Sequence, residues 1–547
     1  MNEKELNKPH KPKENISEKE ASFARRDFLK GLATIPVLGA FAFKYFQKKS
    51  YDDSRKKRIL EEMGLKGEAP AIHTSPSSKK PSDLLRIGII GNGGRGQSLL
   101  RAAGFATQEW INEELGAAKR DKMNKTLETF LNQEDLNLVI TGVCDLFNVR
   151  ADLGIAASTN EIRPGGGTKG LKPAKRFRHY QELLDSPDID AVIIATPDHW
   201  HARQVIDAVK ASKHIYCEKC MTRTEEEVFQ VVNAVKESNI VFQLGHQNHQ
   251  QESHIKAQEI IEKGILGNIT LIECSTNRNS PNGAWYYEID EKGTEQTIDW
   301  DQFQEPAPNK VPFSPERFFR WRCWFDYGTG LSGDLLSHEF AAVNQIMALG
   351  VPETAVASGG IYFFNNQWKQ KDEYKMKEMR DVPDVFNVVF EYPKKNLTLI
   401  YSATLANGRW RTRKFMGHDA TMQVGDDLTI QIERESTTYK DKIEEDLIDT
   451  SVPLFSYTPG AKGIDAITSA TERYFASKGL MYTYRGGKPI DTTHLHVKDW
   501  IDCIRNNKFP RCHIDLGFEE AIACHMATKS YLESRKVQWN PALRRIV

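Results

Sequence analysis

Residues 84–96 read LLRIGIIGNGGRG, and this stretch decides the fold. Its first seven residues form a short, apolar, largely β-branched run, which predicts a buried strand. The glycines that follow, Gly91, Gly93 and Gly96, have the spacing G-x-G-x-x-G where a strand ends and a helix begins. In that context Gly91 allows a tight turn, Gly93 lets the backbone approach a pyrophosphate, and Gly96 lets helix and strand pack closely. The stretch therefore predicts a dinucleotide-binding unit.

The first helix and the second predicted strand complete this nucleotide site. The helix is predicted through Gln97 to Ala103, just after Gly94 and Arg95, and free N–H groups and a partial positive charge at its N-terminus suit phosphates. The next strand ends at Asp145, later than the roughly 20 residues that the motif expects, because a helical insertion over 108–135 intervenes. A carboxylate there accepts both ribose hydroxyls and repels a 2′-phosphate, so we predict NAD. Arg150 lies nearby and keeps NADP as the alternative.

The hydrophobic pattern divides the chain into two domains. Strands alternate with helices over 84–245, which is typical of a doubly wound parallel sheet of the Rossmann kind. Over 246–547 the pattern changes, and segments such as 385–392, 397–403 and 420–432 alternate apolar and polar residues. That alternation predicts a large, mainly antiparallel open sheet with one face covered. We therefore predict an α/β domain that binds NAD, followed by an α+β domain for substrate and oligomerisation, whose C-terminal helices pack back.

Composition excludes several classes of function. The 547 residues carry 74 Lys plus Arg and 74 Asp plus Glu, so no general electrostatic attraction to nucleic acid is expected. The eight cysteines are scattered, unlike the dense framework of a small secreted scaffold. The pairs His199 and His201, and His246 and His249, lack a matching set of carboxylates or cysteines, so we predict no metal site.

The N-terminal segment is typical of an export signal rather than of a folded domain. Residues 24–30 read ARRDFLK and precede an apolar run over 31–43, which is shorter than the roughly 20 residues that span a bilayer. Paired arginines before such a run resemble a twin-arginine signal. We expect a disordered, exported region over 1–50 and a linker over 51–83. We therefore expect the twin-arginine machinery as a partner, a periplasmic location without a stable membrane anchor, and a cytoplasmic location if the signal does not function.

Two further segments follow predicted strands and point to chemistry. Residues 195–201 read ATPDHWH, and residues 217–220 read CEKC. In open α/β sheets, ligands bind at the carboxyl ends of the strands. A lysine there can hydrogen-bond a substrate hydroxyl and steer it toward a nicotinamide. The residues that we expect to contact the cofactor from these segments are Thr196, Pro197, His201, Glu218 and Lys219.

These segments, together with the glycine loop, resemble the glucose–fructose oxidoreductase / inositol dehydrogenase family (Gfo/Idh/MocA). The resemblance covers roughly 84–541. It implies a Rossmann domain, an α/β domain whose open sheet often mediates oligomerisation, and hence a homo-oligomer. Members usually carry Glu-Lys-Pro, in which the lysine contacts substrate and cofactor. Here Glu218 and Lys219 are kept, and Cys220 stands in place of the proline.

The family's other active-site element is an Asp and a His four residues apart on a helix. Residues 325–338, FDYGTGLSGDLLSH, fit it with Asp334 and His338, which as i and i+4 would share one helix face. We assign His338 as the general base, because a near-neutral pKa suits that task. Lys219 would share or relay the proton, and Asp334 would orient His338 or bind a sugar hydroxyl.

The remaining candidates concern the substrate. His246 and Gln247 follow a predicted strand and are expected to line the cleft. Aromatic faces and arginine side chains suit polyols, and a run of such residues follows in the second domain. The alternative is that the tryptophans are core or interface residues. The platform candidates are Asn277, Arg278, Trp285, Arg320, Trp321, Arg322 and Trp324.

These inferences lead to three hypotheses of function. The first is an NAD-dependent oxidoreductase acting on a sugar, glycoside or cyclitol hydroxyl. Because the periplasm has no known free NAD pool, its cofactor would be tightly bound and recycled internally. The second is an NAD-dependent glycosidase or lyase that works by transient oxidation and elimination. The third is an inactive sugar-binding sensor, against which the presence of Lys219, Asp334 and His338 argues.

Overall fold

The computed structural model describes residues 84–160, 162, 164, 171–366, 375–409, 412–445, 448, 450–451, 453–457, 466–467 and 491–547. The predicted export signal over 1–50 and linker over 51–83 lie outside the described residues.

The first domain is built on a six-stranded parallel sheet. Its strand order is β3-β2-β1-β4-β5-β6, so the direction of winding reverses between β1 and β4. A reversal of this kind opens a crevice at the carboxyl ends of the strands. The predicted doubly wound parallel sheet is confirmed. The strands are β1 Leu85–Ile90, β2 Leu138–Cys144, β3 Lys175–Phe177, β4 Ala191–Ile194, β5 His214–Cys217 and β6 Phe242–Leu244.

Helices cover both faces of this sheet. They are α1 Gly94–Ala102, α2 Gln108–Arg120, α3 Thr126–Leu131, α4 Asn148–Ser158, α5 Tyr180–Leu184, α6 Asp198–Lys210 and α7 Glu225–Lys236. The predicted helical insertion before β2 is present as α2 and α3. These two helices share a small apolar cluster that includes Ile111 and Phe130. The insertion therefore adds chain between β1 and β2 without changing their parallel pairing.

The second domain contains a mixed sheet of eleven strands in the order β15-β14-β13-β12-β11-β7-β10-β9-β8-β16-β17. β7 and β10 pair in parallel, and the other pairs are antiparallel. Side chains of β10 alternate strictly between buried and half-buried, as expected for a sheet with one covered face. The predicted, mainly antiparallel sheet is confirmed. The strands are β7 Ile269–Asn277, β8 Thr354–Gly360, β9 Val385–Tyr392, β10 Leu397–Thr404, β11 Arg413–Gly417, β12 Ala420–Val424, β13 Leu428–Ile432, β14 Phe455–Tyr457, β15 Ala466–Ile467, β16 Val537–Asn540 and β17 Arg545–Ile546.

The helices of the second domain tie the two halves together. They are α8 Glu252–Glu262, α9 Trp300–Gln304, α10 Pro315–Phe319, α11 Ser337–Met347, α12 Lys440–Glu444, α13 Thr492–Asn506 and α14 Ile514–Glu533. Val497, Trp500 and Ile501 of α13 lie in the same apolar cluster as β1, and α14 packs on α7. Among the described helices, none combines the length and the apolar character that a membrane span requires.

A long segment between β7 and α11, residues 278–331, lies across the end of the first domain. We call it the strap. Its residue Ile298 forms a β-bridge with Phe147, just beyond β2. The Asn148 N–H donates to the Thr297 carbonyl at 2.9 Å, and the Asp299 N–H donates to the Leu146 carbonyl at 2.9 Å. The strap is therefore anchored to the loop that carries Asp145.

Several histidines are buried in this fold, and burial lowers their pKa. It lowers the pKa of His199, His254 and His496 to about 3 each, and that of His525 to about 4. The unfolded chain binds protons on these side chains near pH 6.5, whereas the folded chain does not. Stability is therefore expected to fall as the pH drops below about 6.5, because the unfolded state binds more protons there.

We expect this effect to be large enough to measure as a lower Tm at about pH 5 than at about pH 7. Each such histidine removes about 1.4 kcal/mol of stability per pH unit in that interval. Most carboxylates stay ionised above about pH 5, so histidines dominate the change. The measurement is a thermal unfolding series in matched buffers. A Tm that stays constant between the two pH values would contradict the burial of neutral histidines.

Candidate active site

A cavity of about 590 Å³ opens at the carboxyl ends of β1, β2, β4 and β5, beneath the strap. This volume is in the range of small-molecule binding sites. Most of the residues that the sequence predicts for the site lie in its wall. They are Gly91, Gly93, Gly94, Arg95, Asp145, Thr196, Pro197, Glu218, Lys219, Gln247, Trp321 and His338.

The glycines of the loop differ in how much space surrounds the position of a Cβ atom. Gly91 has a φ of +87°, and a Cβ there would lie 2.8 Å from the Ala195 carbonyl oxygen. A Cβ on Gly96 would overlap the carbonyl oxygen of Gly91. In contrast, a Cβ on Gly94 would meet nothing within 4 Å. The first N–H groups of α1 have no side-chain cap, so the loop offers free donors and open space of the kind a pyrophosphate needs.

Asp145 stands at the end of β2 as predicted. Its Oδ2 accepts the Asn92 N–H at 2.6 Å, and its Oδ1 accepts the Phe147 N–H at 2.8 Å. Burial raises the pKa of this carboxyl, although the nearby Arg150 guanidinium opposes the change. Arg150 itself lies 5.1 Å from the ring of Phe319 in the strap. These groups form a mixed polar and aromatic wall beside the glycine loop, which fits the adenosine half of a dinucleotide.

Glu218 connects the glycine loop to the opposite wall. Its Oε1 accepts from Arg95 Nε at 2.7 Å and from Gln247 Nε2 at 3.0 Å. A Cβ on Gly245 would lie 2.7 Å from the same oxygen, so a larger residue there would displace it. Glu218 is buried and Arg95 is about one-third exposed, so the carboxylate holds the guanidinium at the mouth of the phosphate site.

Lys219 lines the cavity, and Asp334 is its buried partner behind the cavity wall. Lys219 Nζ donates to Asp334 Oδ1 at 2.6 Å and to the Asp334 carbonyl at 2.9 Å. Arg322 Nε donates to the same Oδ1 at 2.8 Å, and Trp285 Nε1 donates to Oδ2 at 3.0 Å. Both Lys219 and Asp334 are almost fully buried. The carboxylate is therefore held by two cations and an indole.

The charges of Lys219, Asp334 and Arg322 are strongly coupled. Burial alone would raise the pKa of Asp334, but the Lys219 ammonium and the Arg322 guanidinium hold it well below its ordinary value. Burial alone would lower the pKa of Lys219, but the Asp334 carboxylate raises it above its ordinary value. Lys219 therefore stays cationic and acts as a hydrogen-bond donor. The role of Lys219 in sharing or relaying the hydroxyl proton stays a prediction.

His338 lies at the start of α11 and lines the cavity. Burial lowers its pKa well below the ordinary value, and the Lys219 charge and His246 lower it further. The imidazole is therefore neutral and has an electron pair for a hydroxyl proton, although its pKa lies below the near-neutral value that the sequence analysis expects. The Asp334 oxygens accept from Lys219, Arg322 and Trp285, and its predicted role, to orient His338 or to bind a sugar hydroxyl, stays a prediction. The predicted α-helical spacing fails, since Ser332–Leu336 forms a π turn before α11.

Two other predicted residues do not reach the cavity. His201 is fully buried, and its Nε2 lies 2.7 Å from the Thr196 carbonyl while its Nδ1 contacts the Cys220 carbonyl. It joins the two strand-end loops rather than contacting a cofactor. His246 is also buried and packs behind His338 instead of facing substrate. The sequence identifies the loops that follow strands, but not the direction in which each side chain points.

The predicted sugar platform is only partly formed. Trp321 lines the cavity, with the Arg322 guanidinium 4.2 Å from the centre of its ring. Trp285 and Trp324 are buried, so they are core residues, and Trp285 acts through Asp334. Two further candidates make other contacts and do not line the cavity. Asn277 donates to the Arg409 carbonyl at 2.8 Å and Arg278 donates to the Gly283 carbonyl at 3.4 Å.

The sequence reasoning missed most of the strap's contribution. Besides the predicted Trp321, the strap residues that line the cavity are Tyr287, Glu288, Gln302, Phe303, Phe318, Phe319 and Arg322. Arg322 belonged to a run of arginines and tryptophans that pointed to the substrate, whereas the others carried no recognisable motif. Among the described residues, no group of three or more His, Cys, Asp or Glu side chains is arranged to hold a metal ion.

Comparisons with known proteins agree with this architecture. The family model "Oxidoreductase family, NAD-binding Rossmann fold" (GFO_IDH_MocA) matches residues 85–246, and the model of its C-terminal alpha/beta domain matches residues 258–539. A levoglucosan dehydrogenase of Pseudarthrobacter phenanthrenivorans is 30% identical over 197 residues, which are 33% of this chain and 41% of that protein. A glycosyl hydrolase family 109 protein of Shewanella sp. strain MR-4 is 26% identical over 274 residues, 49% of this chain and 51% of that protein.

The matches thus span about two fifths to one half of the length of these two relatives. Among solved structures, levoglucosan dehydrogenase in complex with NADH and levoglucosan superposes with a TM-score of 0.54. That likeness covers 83% of this chain and 99% of the other at 18% identity. At this level of identity, the likeness is one of fold.

Proposed function

The chain belongs to the Gfo/Idh/MocA family of NAD-binding oxidoreductases, and from this premise we propose that it oxidises a hydroxyl of a sugar, glycoside or cyclitol. One observation carries the proposal. A single cavity joins the open glycine loop to a buried lysine and a neutral histidine. A nucleotide at the loop and a polyol beside Lys219 would meet there.

Lys219, His338 and the strap have separate roles in the proposed reaction. A bound NAD would supply the acceptor for the hydride. Two hydrogen bonds of the Lys219 ammonium go to Asp334, and an ammonium has three N–H donors, so one remains for the substrate oxygen. Its positive charge stabilises the negative charge that develops on that oxygen. His338, held neutral, accepts the hydroxyl proton. The strap lines this part of the cavity, and we assign it the role of limiting the access of water to the reacting atoms.

We further propose that the cofactor is tightly bound and recycled within the protein. The support is the resemblance of residues 24–43 to a twin-arginine signal, since that route carries folded proteins and an exported enzyme would lack a free NAD pool. The hydride must then return to a second carbonyl or to the first substrate. A homo-oligomer through the open sheet of the second domain belongs to the same proposal.

A second candidate is an NAD-dependent glycosidase. Here transient oxidation would acidify a neighbouring C–H, elimination would break the glycosidic bond, and the hydride would then return. The observation in its favour is the match to a glycosyl hydrolase family 109 protein, which covers 49% of this chain. Both candidates need the same lysine and histidine.

One assay separates these candidates. The purified full chain is incubated with 4-nitrophenyl glycosides and with free sugars, without added NAD. A ketosugar product supports the dehydrogenase, and release of nitrophenol without net oxidation supports the glycosidase. Turnover that appears only when NAD is added would contradict internal recycling. Sugar binding without any product, unchanged in Lys219→Ala, would favour the inactive sensor instead.

A further inference from the structure

A second pair of polar side chains lies behind His338, on the side away from the cavity. The rings of His338 and His246 meet edge to face, with their centres 5.5 Å apart. His246 Nε2 then lies 3.7 Å from Oε2 of Glu520, on α14. The side chains of His246 and Glu520 are each only 2% exposed. The three residues form a row from the cavity wall into the interior.

The inner two residues keep free proton-binding atoms. Within the described part of the chain, neither ring nitrogen of His246 has a hydrogen-bond partner, and Oε2 of Glu520 has none either. Buried polar atoms are nearly always satisfied, so such exceptions call for a functional or solvent explanation. Oε1 of Glu520 accepts only a weak bond from Cys524 Sγ at 3.5 Å. Packing alone gives no reason for a histidine and a carboxylate to face each other here.

Charged and titratable groups from several elements surround this row. Burial and the charges of Lys219 and Arg95 disfavour the protonated form of His338, whereas the Asp334 carboxylate favours it. His249 and His496 approach His246 from the turn after β6 and from α13. Cys512 and Cys524 lie next to Glu520, as neutral thiols of raised pKa. Asp334 is already paired with Lys219 and Arg322, so Glu520 is the carboxylate of this set that we assign to receive the proton.

We propose that His246 and Glu520 take the hydroxyl proton from His338 and hold it during turnover. This rests on the proposed function. On oxidation, the substrate O–H bond breaks and its proton goes to a ring nitrogen of His338, while the C–H hydride leaves with its electron pair to the nicotinamide. Rotation of the His246 ring, whose nitrogens have no hydrogen-bond partner among the described residues, lets it take a proton from His338 and pass one across the 3.7 Å gap to the Glu520 carboxylate, which becomes a neutral acid. Reduction of a carbonyl returns both proton and hydride.

The proton would then stay in the protein between oxidation and reduction, just as the hydride stays on the bound cofactor. Because the pair is shielded from solvent, the proton need not exchange with water between the two half-reactions. His246 and Glu520 are thus positioning residues that act through His338.

The test is Glu520→Gln, with Glu519→Gln as the matched control on the same helix. The Glu519 carboxylate instead accepts from Asn344 Nδ2 at 2.7 Å. We expect Glu520→Gln to lower kcat about 10- to 100-fold, less than the 10²–10⁴ of a direct acid–base group. KM and the bound NAD content stay at wild-type values, the pH profile of kcat shifts, and Glu520→Asp restores part of the rate. Glu519→Gln behaves as the wild type.

An infrared difference spectrum distinguishes a proton-accepting role of Glu520 from a purely structural one. When a sugar from the assay above reduces the bound cofactor, the wild type is expected to gain a neutral carboxyl band that Glu520→Gln lacks. Cofactor reduction without that band, or a wild-type pH profile in Glu520→Gln, would overturn the relay and leave the proposed function intact. No reduction of the cofactor by any sugar would instead overturn the proposed function. If Glu520→Gln does not fold, His246→Gln tests the same transfer.

Discussion

Lys219→Ala is expected to lower kcat by about 10³-fold, which is the largest loss that we predict for a single side chain. The buried ammonium is the cation placed both to bind the substrate oxygen and to neutralise Asp334. Removing one oxyanion-stabilising donor typically lowers kcat by about 10²–10³-fold, and here the remaining Asp334 charge would also lose one of its two cations. The measurement is single-turnover reduction of the bound cofactor by sugar.

The comparison variant is Lys210→Ala, at the exposed end of α6. It should keep the wild-type rate, and both variants should keep the wild-type NAD content. A Lys219→Ala protein that turns over within a few-fold of wild type would remove the lysine from the mechanism. A loss of rate that is matched by a loss of NAD would mean that Lys219 serves cofactor binding instead.

Gly96→Ala is expected to lower the amount of bound NAD at least about tenfold. The added Cβ would overlap the Gly91 carbonyl oxygen, which is backbone and cannot move aside without opening the turn. Overpacking of this kind also destabilises a fold by about 1–3 kcal/mol. The measurement is the quantity of dinucleotide released per chain on denaturation.

Gly116→Ala is the matched control, because Gly116 lies inside α2 and its Cβ would meet only the flexible end of Arg120 at 3.3 Å. Replacing a glycine inside a helix stabilises it by about 0.5–1 kcal/mol, and the NAD content should not change. If Gly96→Ala retained the full complement of NAD, the glycine loop would not be the phosphate site.

The fold was largely predictable because its signals are local. The run that ends at Ile90 and the glycines after it define a βα unit within a few residues. The alternation of apolar and polar residues over 397–403 is imperfect, because Ile400 interrupts it, but it likewise indicates a half-buried strand, which the structure confirms. Even the late position of Asp145 was interpretable, since the inserted helices before β2 leave the strand pairing intact.

The site was predictable in its elements but not in its side-chain directions. Strand ends point to the right loops, so Glu218 and Lys219 were identified. His201 and His246 follow strands in the same way, yet both turn inward, because the direction depends on packing between domains. Glu520 comes from a helix about 300 residues after Lys219, and no local pattern connects the two.

The most direct test is to denature the purified full chain and identify the dinucleotide that it releases. A bound, internally recycled cofactor at the cavity over Gly91 to Gly96 predicts NAD at close to one per chain, without any NAD added during purification. A protein that releases no dinucleotide, or releases NADP, would contradict this assignment.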